Sequence, residues 1–548
     1  MKKLLSTLFP YKFTKKYSKP VAYFSMEFAI DQALKIYSGG LGFLAGSHMR
    51  SAYELKQNVI GIGILWKQGY YDQERNQDGT MKASFLYKNY FFLTDTGIVF
   101  PLLINGATVQ VKAYLLRPEV FHSAPVFLLS TDIPENDYLA QTICHRLYDP
   151  NEHTRIAQSI LLGAGGARLI EILKRETELY HMNEGHALPL CFYLLSKFKS
   201  LEEVKKRVVF TTHTPEKAGN EEHDLKILKE MSFFQGVTEE FKKRFIIDQR
   251  VNYTLTALRM AKRANAVSKL HRTVTEKMWA GYDGLCDIIS ITNAQNKTYW
   301  IDPMIEQAYL DNDAKALSSR KKELKKALFE EVANQSGKLF DENVFTMVWS
   351  RRFTAYKRAD LILRDFDRFL KLIQNKKYPI QIVWAGKPYP EDYHSIHLFN
   401  EIYWRVKSFP NCAVLTGYEL KLSALLKRGS DGWLNNPKLY HEASGTSGMT
   451  AAMNASVNIS IPDGWVPEFA VHGKNCFSVN PADQSLPEEE RDRIEMKNLY
   501  SVLEAQVLPS YYDEPKKWWK IVQQGIKDTI EDFDANRMAR EYYEELYK

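Results

Sequence analysis

From residue 20 onward the chain alternates short β-rich runs with longer helical patterns, which restricts it to an α/β fold: a parallel sheet with covering helices. Val21 to Phe24, Val59 to Leu65, Val126 to Thr131, Val208 to Thr212, Phe345 to Ser350, Ile380 to Ala385 and Ala413 to Thr416 read as strands, each ending near polar or glycine-rich residues. In open α/β sheets ligands collect at the carboxyl ends of the strands, so chemistry is to be sought in the turns that follow these runs.

The alternation is interrupted once. Residues 303–341 are rich in Lys, Glu, Ala and Leu and show little β signal, which predicts a charged amphipathic helix with a solvated face, a natural hinge between two α/β halves. With 548 residues the chain has room for two large domains. The expected division is a lead-in at 1–19, a first α/β domain at 20–302, the hinge at 303–341, a second α/β domain at 342–496, and closing helices at 497–548 that pack back on the first domain.

Composition removes several function classes. Hydrophobic residues make up 45% and charged residues 25%, the balance of a globular protein rather than a disordered or low-complexity one. A net charge of +7 is small for this length and forms no dense basic block past the first twenty residues, which argues against nucleic acid as a partner while leaving local anion binding open. The richest apolar stretch, Ile160 to Leu173, is broken by Arg168 and Glu171, so no membrane span is expected. Cys144, Cys191, Cys286, Cys412 and Cys476 lie far apart with no metal-ligand spacing, which points to free thiols, a reducing cytoplasmic setting and no metal site.

Several strand-end motifs can carry chemistry. In Ser38-Gly39-Gly40-Leu41-Gly42, ahead of a helical run, the glycines would let a backbone approach an anion, or simply make a tight strand-to-helix turn. Gly163 to Gly166 lies inside a helical pattern and suits close helix packing. Arg351, Arg352, Lys357 and Arg358 directly follow the strand Phe345 to Ser350, and such cations form either a phosphate cradle or a basic surface turn. Glu442 opens a glycine- and hydroxyl-rich turn, Gly445-Thr446-Ser447, into a helix start; this places an acid beside an anion or sugar, or caps the helix. His181 to His186 and Thr211 to Pro215 bring histidines to two further strand ends, as core residues or as cleft residues.

Taken in order, YFSMEFAI, YSGGLGFLAG, HMNEGHA, FTTHTPEKAG, NAVSKLH, RRFTAYKRADLIL, IVWAGKP and EASGTSGM resemble the glycogen and α-glucan phosphorylases, particularly their shorter bacterial and archaeal forms, from about Pro20 to Glu544. The resemblance implies a GT-B fold, two Rossmann-like domains facing across a deep cleft. It implies that Gly39, Gly40 and Leu41 lie over the substrate phosphate, that the main-chain carbonyl of His213 faces the glucosyl unit, and that Arg352 and Lys357 grip phosphate. It further implies that Glu442 binds a glucose hydroxyl, that Gly445, Thr446 and Ser447 line sugar and cofactor, and that Arg351, Trp300 and Tyr418 stand near the cofactor.

Two departures qualify that picture. Relatives carrying pyridoxal phosphate hold it through a lysine at the end of EASGTSGM, where this chain has Thr450, and a hydroxyl forms no imine. No covalent pyridoxal phosphate is therefore expected; the cofactor is held non-covalently or is absent. In Ile291 to Trp300, ITNAQNKTYW stands where short relatives have Gly-Val-His after the asparagine. Three readings follow: a phosphorylase-like retaining glycosyltransferase working on α-1,4-glucan and phosphate or glucose 1-phosphate in glycogen, starch or maltodextrin metabolism; a GT-B glucan synthase using a nucleotide-sugar donor; and an inactive α-glucan-binding relative. The first is favoured, because an inactive binder has no need of Arg352 and Lys357. A homo-oligomeric assembly is left open.

Overall fold

The computed structural model describes residues 8–548. By internal packing the chain divides into two compact units, one running to Tyr71 and then taking in Phe85–Asn293 and Ala535–Lys548, the other made of Asp72–Ser84 and Ala294–Asp534.

The first unit is built on a sheet of β1 (Val21–Phe24), β2 (Val59–Ile64), β3 (Thr94–Ile104), β4 (Ala107–Leu116), β5 (Val126–Ser130), β6 (Leu179–Asn183), β7 (Val208–Thr211), β8 (Arg263–Ala266) and β9 (Asp287–Ser290). Their order is β9-β8-β7-β6-β1-β2-β5-β4-β3. All neighbours are parallel except where β4 runs antiparallel to β5 and to β3. β1, β2, β5, β6 and β7 are buried at every position, as parallel strands covered on both faces must be. The helix α1 (Gly40–Glu54) follows β1, and the glycine run inside the next long helix is a packing device: a Cβ on Gly163 would stand 2.5 Å from the carbonyl oxygen of Ala187.

The second unit has a wholly parallel sheet, β10 (Phe345–Ser350), β11 (Ile380–Ala385), β12 (Cys412–Leu415), β13 (Gly432–Asn435), β14 (Val457–Ser460) and β15 (Cys476–Ser478), in the order β12-β11-β10-β13-β14-β15. Four of its helices matter below: α2 (Lys297–Trp300), α3 (Ala314–Ser336), α4 (Leu420–Gly429) and α5 (Ser447–Met453).

Two features differ from the expectations. α3 is part of the second unit rather than a solvated hinge: its Lys321 amine donates to the carbonyls of Arg428 and Asn454 at 2.9 Å, and Lys325 is ion-paired with Asp431, all buried. A helical charge pattern does not say which lysines turn inward. Of the closing helices, residues up to Asp534 belong to the second unit and only Ala535–Lys548 to the first. All five cysteines are free thiols, and no helix among the described residues is long and apolar enough to cross a membrane.

Candidate active site

Each sheet gathers polar residues beyond the carboxyl ends of three neighbouring strands. In the first unit these strands are β1, β6 and β7. Asn183, the last residue of β6, donates through Nδ2 to Ser25 Oγ beyond β1 at 3.1 Å and accepts through Oδ1 from His213 Nε2 beyond β7 at 2.7 Å. That network places the imidazole proton on Nε2. Burial, and then the neighbouring His271 and His186, lower the His213 pKa to about 3, so the ring is neutral near pH 7.

Glu184 organises the same corner. Its carboxylate accepts from the main-chain N–H of His213, from Gly185 N at 3.2 Å and from Thr214 Oγ1 at 3.2 Å. Burial raises its pKa against the pull of those donors. Its φ of +73° lies in the left-handed region, a conformation that costs a side-chain-bearing residue about 1–3 kcal/mol and persists only where the surroundings enforce it. His181, by contrast, is a satisfied core residue, bonded to Tyr547 Oη at 2.8 Å and Thr211 Oγ1 at 2.6 Å.

The glycine turn sits on the same unit. Glu27, buried beyond β1, accepts from Ser38 N at 2.7 Å, Ser38 Oγ at 2.8 Å, Gly39 N at 3.3 Å and Tyr148 Oη at 2.6 Å, and so fixes the turn from below. A Cβ on Gly39 or Gly40 would meet nothing within 4 Å, whereas one on Gly42 would stand 2.5 Å from the Tyr37 Cβ. Packing therefore requires the third glycine; the first two, with Leu41, keep an open main chain at the N-terminus of α1, where anions are favoured.

In the second unit the three strands are β10, β13 and β14. Beyond β10 stand Arg351 and Lys357; beyond β13 stands Glu442. Lys357 Nζ lies 2.9 and 3.2 Å from the two Glu442 carboxylate oxygens, and Arg351 Nη1 lies 3.2 Å from one of them, with all three side chains buried. Burial alone would raise the Glu442 pKa, but Lys357, Arg351 and then the exposed Arg352 hold it below the ordinary glutamate value. Arg358 belongs to the fold instead: its guanidinium is taken up by Asp492, Glu495 and the carbonyls of Asn436 and Pro437.

The loop that carries Glu442 is clamped from β14. Asp463 Oδ2 accepts from the amides of His441 at 3.1 Å and Glu442 at 2.9 Å, and Oδ1 from Gly464 N at 2.8 Å. Gly464 has φ +61°, and a Cβ there would lie 2.3 Å from the Ser444 carbonyl oxygen, so only glycine permits this approach. Burial first, opposed by the amides and reinforced by the Glu442 charge, pushes the Asp463 carboxyl up to about 7. The motifs above omit Asp463, although an Asp-Gly pair just beyond a strand marks such a turn.

The remaining expected site residues also lie in the second unit. Gly445 adopts φ +83°; Thr446 Oγ1 accepts from Gln295 Nε2 at 3.0 Å, so the altered ITNAQNKTYW stretch supports the turn; Ser447 begins α5. Tyr418 Oη bonds Ser423 Oγ at 3.2 Å. Trp300 ends α2, and the Asn454 side-chain amide joins it to α5 by donating to the carbonyls of Trp300 at 3.0 Å and Thr450 at 2.8 Å.

No protein-family model matches the chain. An uncharacterized protein of Methanocaldococcus jannaschii is 48% identical over 97% of this chain and 100% of its own length. The maltodextrin phosphorylase of Thermococcus litoralis is 33% identical, a match that spans 97% of this chain and 71% of that protein. This chain belongs to the glycogen and maltodextrin phosphorylase family. A glycogen phosphorylase of Mycobacterium tuberculosis agrees, at 32% identity over 96% of this chain and 70% of its own.

Position 450 is where the sequence resemblance expects the lysine that would hold pyridoxal phosphate. Thr450 is fully buried and its hydroxyl donates to the Ser447 carbonyl of its own helix at 3.1 Å. A threonine hydroxyl offers no amine with which to form an imine.

Proposed function

We propose that this chain is an α-glucan phosphorylase-type retaining glycosyltransferase, moving glucosyl units between α-1,4-glucan and phosphate, with the two Rossmann-like domains of a GT-B fold facing across a deep cleft. The observation that carries this reading is Glu442 held by Lys357 and Arg351 beyond adjacent parallel strands, in a chain whose relatives include named maltodextrin and glycogen phosphorylases.

In this reading Arg352 and Lys357 take the phosphate, and Gly39, Gly40 and Leu41 offer main-chain amides to it. Glu442 accepts a hydrogen bond from a glucose hydroxyl, the His213 carbonyl faces the glucosyl unit, and Gly445, Thr446 and Ser447 line the sugar. Retaining transfer passes through an oxocarbenium-like state in which negative charge grows on the leaving phosphate, so fixed cations stabilise that state more than the bound substrate. The lowered Glu442 pKa favours the ionised carboxylate, so an arriving phosphate shares Lys357 with it. Pyridoxal phosphate, when bound, supplies a second phosphate beside that of the substrate; Arg351, Trp300 and Tyr418 are the residues that would surround it. The five free thiols support a reducing, cytoplasmic setting.

Thr450 favours one alternative, a nucleotide-sugar donor whose two phosphates arrive already joined. The test is transfer kinetics on purified protein with three donors in parallel: maltooligosaccharide plus phosphate, glucose 1-phosphate plus acceptor, and nucleotide glucose plus acceptor. Turnover in the first two and not the third is expected. Turnover only with nucleotide glucose selects the alternative, and glucan binding without turnover in any arm selects a glucan-binding role.

A further inference from the structure

Glu442 has little acceptor capacity to spare. A carboxylate offers about four lone-pair positions. Lys357 Nζ takes one on each oxygen, at 3.2 Å on Oε1 and 2.9 Å on Oε2, and Arg351 Nη1 takes a second on Oε2 at 3.2 Å. The remaining position is on Oε1. Gly445 leaves that side uncovered: the nearest atoms to a Cβ placed there would all belong to Glu442, its Cγ at 3.2 Å, Cδ at 3.3 Å and Oε1 at 3.6 Å. Oε1 can therefore meet one sugar hydroxyl, and which hydroxyl it meets depends on where the carboxylate is held.

Cations on long, flexible stems can follow a carboxylate as it moves, so the main chain that bears Glu442 is what fixes it. That main chain is gripped on both sides of Glu442. Asp463, fully buried, accepts from the amides of His441 at 3.1 Å and Glu442 at 2.9 Å, and the Trp465 amide donates to the Ser444 carbonyl at 3.1 Å. Trp465 is itself locked in place, fully buried, stacked on Phe469 at 4.8 Å and edge-on to Phe533 at 4.7 Å between ring centres. At the start of the loop the Lys438 amide donates to the Tyr356 carbonyl at 2.8 Å, next to Lys357. Between these anchors Tyr440 is held at φ +70°, a conformation that a bulky residue keeps only where its surroundings enforce it. Loss of the Asp463 grip would let Tyr440 relax and carry Glu442 with it.

We propose that Asp463 is a positioning residue of the donor-sugar site: by holding the Glu442 loop it aims the remaining acceptor of Glu442 at one hydroxyl, and so sets the hydroxyl selectivity of the site. The inference rests on the reading of Glu442 as the carboxylate that meets a glucose hydroxyl. Asp463 spends both of its own oxygens on main-chain amides, so its effect on a sugar passes through Glu442. Two residues coupled in this way act on selectivity as one unit.

The test is calorimetric titration of the full chain, without glucan, by α-D-glucose 1-phosphate and by each of its monodeoxy analogues. Selectivity is read as the ratio of affinities, which cancels any general loss of binding. In the wild type one analogue should bind at least about tenfold more weakly than glucose 1-phosphate, the scale of a hydrogen bond to a charged group. Asp463→Ala should bring that ratio to within about threefold of unity, and in a Glu442→Gln background it should change nothing further. Asp463→Asn, whose amide oxygen can still accept from both loop amides, should keep the ratio within about threefold of the wild type. A wild type that binds no sugar phosphate or binds all of them alike, a folded Asp463→Ala that retains the ratio, loss of the ratio in Asp463→Asn, or a further loss in the Glu442→Gln background overturns the proposal. Should Asp463→Ala not fold, Asp463→Ser takes its place: its hydroxyl is one bond short of the carboxylate oxygens, and an unchanged ratio there overturns the proposal equally. Selective binding that depends on Asp463, without turnover with any donor, would sink the phosphorylase reading and leave this inference standing; turnover with the ratio untouched in Asp463→Ala would do the reverse.

Discussion

Three neighbouring parallel strands end in a polar cluster in each unit, yet the two clusters are held by different forces. Beyond β1, β6 and β7 the parts are a neutral imidazole, an amide, a hydroxyl and one glutamate accepting main-chain hydrogen bonds at a strained φ. Beyond β10, β13 and β14 the parts are two buried cations on one buried carboxylate, with a second carboxyl holding the loop. A cluster of the first kind fixes shape and is indifferent to dissolved anions. A cluster of the second kind stores its energy in charge, so it responds to any anion that enters and to pH.

Removing the shared carboxylate should strain that contrast most. Glu442→Gln leaves Lys357 and Arg351 buried without their counter-charge, for which about 3–5 kcal/mol of stability is lost. Denaturant unfolding reads the loss directly, and added inorganic phosphate should restore part of it by taking the place of the carboxylate. A loss under about 1 kcal/mol, or no response to phosphate, would mean the cluster is not charge-held.

Asp463 gives the pH arm. Its folded pKa is raised to about 7, against about 3.9 in an unfolded chain, so between those values the folded state holds a proton that the unfolded state has released. Stability therefore falls as pH rises through that window, with a slope approaching ~1.4 kcal/mol per unit, and levels off above it. Glu442 works the other way: its folded pKa is lowered, so its contribution is present above the unfolded value and is lost as pH falls through the folded one. Asp463→Asn should flatten the slope between about pH 4 and pH 7, whatever it does to stability overall; an unchanged slope would assign the titration elsewhere.

In the first unit, Glu184→Gln should cost no more than about 1.5 kcal/mol, the scale of hydrogen bonds rearranged around a neutral amide, and phosphate should not alter it. A phosphate-dependent loss there would erase the distinction between the clusters. Thr450→Val should have the smallest effect, about 1 kcal/mol or less for one bond within a helix, with transfer rates unchanged.

Much of this was legible before the structure. β1, β10 and β11 coincide with the runs read from the sequence, three further strands end one residue early and β12 is displaced by one residue at both ends, because strands covered on both faces must be apolar throughout. β13 and β14 escaped, since Gly-Trp-Leu-Asn and Val-Asn-Ile-Ser are too short and too polar to stand out. The Arg351, Lys357 and Glu442 motifs were visible as residues, but their ion pairs, 85 and 91 positions apart in sequence, were not. Asp463 could not be found as a site residue in the sequence, because what distinguishes it is burial and the neighbours brought by other elements. The inward lysines of α3 were misread for the same reason.

The most direct test of the charge-held cluster as a phosphate site is glucose 1-phosphate release from maltooligosaccharide and phosphate by the wild type, Lys357→Met and Arg352→Met, with glucan retention measured alongside. The expected result is turnover by the wild type and a fall of about 10²–10³ in each variant, the usual worth of a charge-stabilising donor, with glucan retention little changed. Near-wild-type rates in both variants would contradict the account, since the cations would then serve the fold and not the phosphate.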